Sequence, residues 1–233
     1  MNYPLLILHG WGSCAKNWAK VRKLLEKEGI KVFLPDLPGF GENPALEKPW
    51  AIDDYVSWLK EYCQKNNLWQ FFLLGHSFGG NIAFQYALKF PHDIKKLILI
   101  SPALVRVNDP KKEILAIIAK LLNRFSFFPF YSLMRRAFYK FFVKSDYPDT
   151  EGPMRETYLR VLKQDFSDHL SDVSVPTVLI WGDKDNITPF RYAHFLKERI
   201  AEAELKILPG IGHTPRDEAP ELLVEKILES ISE

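Results

Sequence analysis

Three residue types at three places in this chain could together perform nucleophilic chemistry. Gly75-His76-Ser77-Phe78-Gly79-Gly80 follows the apolar run 71–74 and precedes a helix-like segment closed by Pro91. A G-x-S-x-G turn between a strand and a helix forces the serine into a strained backbone conformation. Small neighbours let the two elements approach, and the hydroxyl is left exposed at a helix N-terminus. A serine hydroxyl attacks poorly until a positioned base takes its proton, so Ser77 implies a histidine and an acid nearby. Of the six histidines, His213 is the candidate base. It lies after the run 205–208, in Pro209-Gly210-Ile211-Gly212-His213-Thr214-Pro215, a loop whose glycines permit unusual backbone angles. His9 sits in a Gly-flanked turn, His76 should point into the core, and His92, His169 and His194 fall in helical or connecting segments. For the acid, the segment after the run 178–181 offers Asp183 and Asp185. Asp183 suits a turn cap, and the choice falls on Asp185, deeper in the loop and four residues before Pro189. The stretch after 97–100 holds no acid until Asp109.

The elements that must position these residues alternate in type. Short, nearly continuous apolar runs at 5–8, 71–74, 97–100 and 178–181, with weaker ones at 32–34 and 205–208, read as six strands buried on both faces. Helical segments fall between and after them at 17–28, 52–65, 81–90, 189–200 and 218–231. Alternation of this kind predicts an α/β fold with a mainly parallel sheet covered by helices on both faces. Sites in such sheets lie at the carboxyl edge, where all three candidate loops fall.

The alternation stops between Ala103 and about Val173. Three amphipathic helices fit there instead, marked by Ile114, Ile117, Ile118, Leu121 and Leu122, then by Met134, Ala137, Phe138, Phe141 and Phe142, then by Met154, Tyr158, Val161 and Leu162. The expected organisation is a core formed by 1–104 and 172–233 with an inserted helical cap over 105–171.

The order Ser, Asp, His along the chain is that of the α/β-hydrolases, and the chain resembles the esterase-type members of that superfamily. His9-Gly10-Trp11-Gly12 is similar to the family's oxyanion loop, and Asp36-Leu37-Pro38-Gly39-Phe40-Gly41 to its loop after the second strand. The segment 75–79 resembles the nucleophile elbow, Trp181-Gly182-Asp183-Lys184-Asp185 the acid loop, and Gly212-His213 the base loop. The resemblance implies that Ser77 attacks, His213 relays the proton, Asp185 orients the imidazole, and the backbone N–H groups of Trp11 and Phe78 hold the oxyanion. It also places the insertion over Ser77, so that Trp11, Phe125, Phe128, Phe138 and Phe142 are expected to line an apolar pocket. Unlike many members, the chain starts almost at its first buried strand, so the edge near 32–34 should need protection by charge or by a partner.

The implied activity is that of a carboxylesterase, a serine hydrolase acting on small to medium apolar acyl esters through an acyl-enzyme. A carbon–carbon bond hydrolase, a perhydrolase or an acyl-carrier methyl esterase would use the same residues, and a slow-turnover ligand-sensing protein is an alternative of another class. The basic residues Arg106, Lys111, Lys112, Lys120, Arg124, Arg135, Arg136, Lys140 and Lys144 face only Asp109 and Glu113 in the insertion. That excess could meet an acidic carrier or a lipid surface, or could be a solvated face.

With 31 basic and 29 acidic residues and a net charge of +2, no global field favours a nucleic-acid partner. The N-terminus lacks a signal-peptide pattern and no run approaches the ~20 apolar residues of a membrane span. Cys14 and Cys63 are the only cysteines, which fits a reducing cytoplasm, with Cys14 expected as packing. No metal-ligand spacing, phosphate loop or dinucleotide fingerprint occurs, so no cofactor or metal is implied.

Overall fold

A computed structural model of the protein describes residues 3–106 and 151–232. Six strands form one sheet: β1 (Leu5–Leu8), β2 (Val32–Phe33), β3 (Phe71–His76), β4 (Ile94–Ile100), β5 (Thr177–Gly182) and β6 (Glu204–Leu208), in the spatial order β2-β1-β3-β4-β5-β6. Every adjacent pair is parallel. The chain moves outward from β1 to β2 and then crosses back to β3 on the other side of β1. The crevice where the order reverses lies between the carboxyl ends of β1 and β3.

Burial on both faces follows from the two-residue period of a strand. Leu5 and Ile7 of β1 join Leu74, Ile98, Ile100, Val178 and Ile180 in one cluster, which Val21 and Leu25 of α1 (Ala19–Lys27) and Leu223 and Ile227 of α7 (Pro220–Ser232) complete. Leu6 and Leu8 point to the opposite face, with Leu73, Leu97, Leu99, Leu179 and Trp181. There α2 (Ile52–Lys65), α3 (Phe78–Lys89) and α5 (Arg191–Arg199) pack. α3 is buried on nearly every side, including Gly79, Gly80, Asn81, Ile82 and Phe84, as expected of the central helix behind the site.

Several boundaries differ from the sequence reading, each for a local reason. β4 starts at Ile94 because Lys95 and Lys96, which interrupt the apolar run, are only half buried, and Lys95 lays its ammonium 4.9 Å from the Tyr3 ring. α3 begins at Phe78 because the chain turns the corner at Ser77 itself. The expected segment 17–28 opens as a 3-10 turn over Ala15–Trp18 before α1. The expected segment 218–231 corresponds to α7 (Pro220–Ser232), whose first residue is Pro220, and a separate short helix, α6 (Pro215–Glu218), precedes it. The edge strand β2 is two residues long. Such brevity leaves little unpaired backbone for another chain to pair with, and Lys31 adds a charge 5.0 Å from the Phe33 ring.

Of the three helices expected in the insertion, those at 114–122 and 134–142 lie outside the described residues. The third is α4 (Gly152–Lys163), and it is tied down at its middle and at its C-terminal turn. The Arg106 guanidinium donates to the carbonyls of Leu162 (2.8 Å) and Val161 (2.9 Å) in the last turn, where Val161 also accepts the N–H of the C-cap residue Gln164 (3.2 Å), while Thr157 Oγ1 accepts the Trp50 N–H (2.8 Å). Arg106 is thus part of the helix terminus and not of an outward basic face. The other eight basic residues of that group lie outside the described residues, as do Phe125, Phe128, Phe138 and Phe142.

Candidate active site

The elbow is built by backbone strain and close approach. Ser77 has φ 52° and ψ −113°, a combination that costs on the order of 1–3 kcal/mol and persists only where the surroundings enforce it. Here they do. A Cβ at Gly75 would collide with the backbone of Gly79, and one at Gly79 with the carbonyls of Leu8 and His9. β3, α3 and the end of β1 therefore meet at a distance that only glycine allows. Ser77 donates its N–H to the Ile100 carbonyl (3.0 Å), and its own carbonyl accepts the N–H of Gly80 (2.9 Å). Phe78 is the first residue of α3, so its N–H has no partner within the helix. The turn after β1 that carries Trp11 stands beside it, with the Trp11 and Phe78 rings 5.2 Å apart.

His213 and Asp185 come to the serine on two other loops. His213 Nε2 is 3.1 Å from Ser77 Oγ, and His213 Nδ1 is 2.8 Å from Asp185 Oδ2. An ionised carboxylate only accepts, so Nδ1 carries the proton and the Nε2 lone pair faces the serine hydroxyl. The Asp185 side chain is fully buried. Burial alone would push its carboxyl pKa up; the hydrogen bond and charge of His213, with bonds from Thr188, outweigh this and hold the pKa below the ordinary aspartate value. Asp185 Oδ1 accepts the N–H groups of Ile187 (2.8 Å) and Thr188 (2.9 Å), and the Thr188 hydroxyl donates to Oδ2 (2.8 Å). Asp183 does something else: its carboxylate accepts the Gly210 N–H (2.7 Å) and ties the acid loop to the base loop.

Sequence reasoning missed several supporting residues. Glu218 accepts the N–H groups of Gly212 (2.7 Å) and Thr214 (3.0 Å) and the Thr214 hydroxyl (3.0 Å), bracketing His213 on both sides. Burial raises its carboxyl pKa, but those bonds lower it further and leave it below the ordinary glutamate value. A glutamate six residues past Gly212, at the end of a Pro-initiated turn, is a weak signal beforehand. Asp36 accepts the N–H groups of Ala15 (2.6 Å) and Glu42 (3.0 Å), joining the loop after β2 to the one after β1. His9 helps in this. Its Nδ1 donates to the Gly10 carbonyl and its Nε2 accepts the Leu37 N–H, both at 2.9 Å, and burial lowers its pKa so that it stays neutral. Cys14 is partly exposed, its thiol donating to Asn17 Oδ1 (3.3 Å).

Among the described residues the site's wall is aromatic. The Trp11 ring lies 4.9 Å from Phe40 and 4.9 Å from Tyr158 of α4, and the Phe78 ring lies 5.1 Å from Tyr55. No group of three or more His, Cys, Asp or Glu side chains able to hold a metal occurs among the described residues. No helix among them is long and apolar enough to cross a membrane.

The family model described as alpha/beta hydrolase fold matches residues 3–131, more than half of the chain. The chain belongs to the α/β-hydrolase family. It is a hydrolase, and proteins named as lipases and esterases are among those it is similar to. Lipase 1 of Psychrobacter immobilis is 29% identical over 242 residues, covering 93% of this chain and 73% of the relative. Lipase 3 of a Moraxella species is 27% identical over 238 residues with the same coverages, 93% and 73%. Among solved structures, an esterase from Exiguobacterium antarcticum superposes with a TM-score of 0.78 at 24% identity, covering 99% of this chain and 92% of that one. That likeness shares the α/β-hydrolase fold.

Proposed function

We propose that this α/β hydrolase cleaves carboxylic esters of small to medium apolar acyl groups through an acyl-enzyme on Ser77. The observation that carries this reading is the unbroken relay from Ser77 Oγ to His213 Nε2 (3.1 Å) and from His213 Nδ1 to Asp185 (2.8 Å). Ser77 Oγ bonds to the ester carbonyl carbon as its proton passes to His213 Nε2. Asp185, already ionised, stabilises the imidazolium across the Nδ1–H bond. The carbonyl oxygen becomes an oxyanion facing the N–H groups of Trp11 and Phe78, and each such donor is typically worth about 2.7–4 kcal/mol of barrier. The tetrahedral centre collapses, the alcohol leaves with the proton from His213, and water then releases the acid by the same steps in reverse.

Because the oxyanion donors are backbone groups, side-chain substitution at Trp11 would alter the pocket and not the donors. The wall of Trp11, Phe40 and Tyr158 favours apolar acyl chains, and the similarity to two lipases supports an ester as the bond cleaved. The insertion over 105–171 is read as the cap above this wall.

The test is hydrolysis of p-nitrophenyl esters from acetate to palmitate by the wild type and Ser77→Ala. Turnover with a chain-length optimum that falls about a million-fold in Ser77→Ala is expected. Activity on none of the esters, or activity surviving Ser77→Ala, would sink the ester reading and favour the carbon–carbon or ligand-sensing alternatives.

A further inference from the structure

His76 occupies the variable position of the elbow, between Gly75 and Ser77, and its sequence context marks it only as a core residue. It is 3% exposed, and its ring lies 5.8 Å from that of Trp18. Its Nε2, however, lies 2.8 Å from the backbone carbonyl of His213, 137 positions away in sequence. A carbonyl only accepts, so Nε2 bears the proton and His76 is the donor. Burial first, then the neighbouring His213 charge, push the His76 pKa well down, which keeps the ring neutral and Nδ1 bare. Among the described residues Nδ1 has no hydrogen-bond partner, so the one bond the ring makes to them goes to the base.

The two adjacent residues of the elbow therefore hold His213 at two points: His76 at its main-chain carbonyl, Ser77 at its side-chain Nε2. We propose that His76 is a positioning residue for His213, so that one dipeptide sets the distance between nucleophile and base. The inference rests on the serine-hydrolase reading above. It differs from a space-filling role in one respect: a filler needs the ring's volume, whereas a positioning donor needs an N–H at the Nε2 position.

Three variants separate these. His76→Phe keeps the volume and loses the donor. His76→Gln places an amide N–H about where Nε2 stands. His76→Asn carries an amide too short to reach the carbonyl. Steady-state kinetics on the best p-nitrophenyl ester should show kcat reduced about tenfold to a hundredfold in His76→Phe, because the His213 main chain loses the bond that places its ring. KM should stay within about twofold, because the group touches no substrate. His76→Gln should recover most of the lost kcat, whatever the melting temperatures of the two. Should His76→Phe fail to fold, His76→Asn takes its place in the comparison with His76→Gln. Wild-type kcat in His76→Phe or His76→Asn, or a His76→Gln as impaired as they are, overturns the proposal. If Ser77→Ala itself retains turnover, it is the serine-hydrolase reading that has failed, and the two failures are told apart.

Discussion

Ser77 and the two residues it meets are held by different physics. Ser77 sits where two glycine contacts and a strained φ leave the backbone no alternative, and no side chain caps the helix there. His213 sits on a loop whose backbone is held by side chains, Glu218, Asp183 and His76, and the Asp185 carboxylate is held by the N–H and hydroxyl of Thr188. A strained turn made of packed main chain tolerates almost no change in shape but needs no particular polar partner. A loop held by carboxylates tolerates shape changes and depends on charge. Substitution should therefore damage the elbow through folding and the base and acid loops through activity and pH.

The largest effect should come from Asp185→Asn. The amide keeps the size but cannot favour the Nδ1–H tautomer of His213, so kcat on a p-nitrophenyl ester should fall about 10⁴-fold with KM little changed. A variant with near wild-type kcat would break the comparison, since the acid loop would then be mere scaffold.

The elbow should respond in stability. In Gly79→Ala the added methyl meets the Leu8 and His9 carbonyls, and about 3 kcal/mol of destabilisation is expected, read as a lower urea midpoint. An unchanged midpoint would mean that β1 and α3 can separate and that close approach does not set the turn.

Glu218→Ala sharpens the other side. It removes the acceptor of three donors around His213, and kcat should fall about tenfold for a loss of about 1–2 kcal/mol of stability. A larger loss of stability than of activity would place this loop with the elbow.

The smallest effect is in acid. Asp185 has a folded-state pKa below its ordinary value, so its ionisation adds stability that is complete above the unfolded aspartate value and is lost as pH falls through the lower folded value. Below about pH 4 the wild type should lose melting temperature faster than Asp185→Asn. Parallel curves would show that the carboxylate's bonds contribute nothing to folding.

Much of this was legible in the chain. Strands buried on both faces show as apolar runs, and Gly75, Ser77 and Gly79 show the elbow, because these depend on local composition and short-range sterics. β4 extends three residues before its apolar run, which the sequence hides because Lys95 and Lys96, half buried in the strand, look polar there, and the short helix α6 carries no apolar signal of its own. His213 stands out by its place in a glycine-bearing loop after the last strand.

Determined by sequence alone were the alternation of strands and helices, the order serine, aspartate, histidine, and the need for glycine around Ser77, all set within a few residues of backbone. Only the tertiary structure decided which carboxylate faces His213. Asp183 and Asp185 are two residues apart and alike in type, and the choice rests on the Thr188 and Ile187 N–H groups that turn Asp185 inward while Gly210 takes Asp183. The same holds for His76, Glu218 and the meeting of Trp11 with Tyr158. Their partners are distant along the chain or across a turn, and a hydrogen bond a few ångströms long has no trace in sequence until the sheet brings its two ends together.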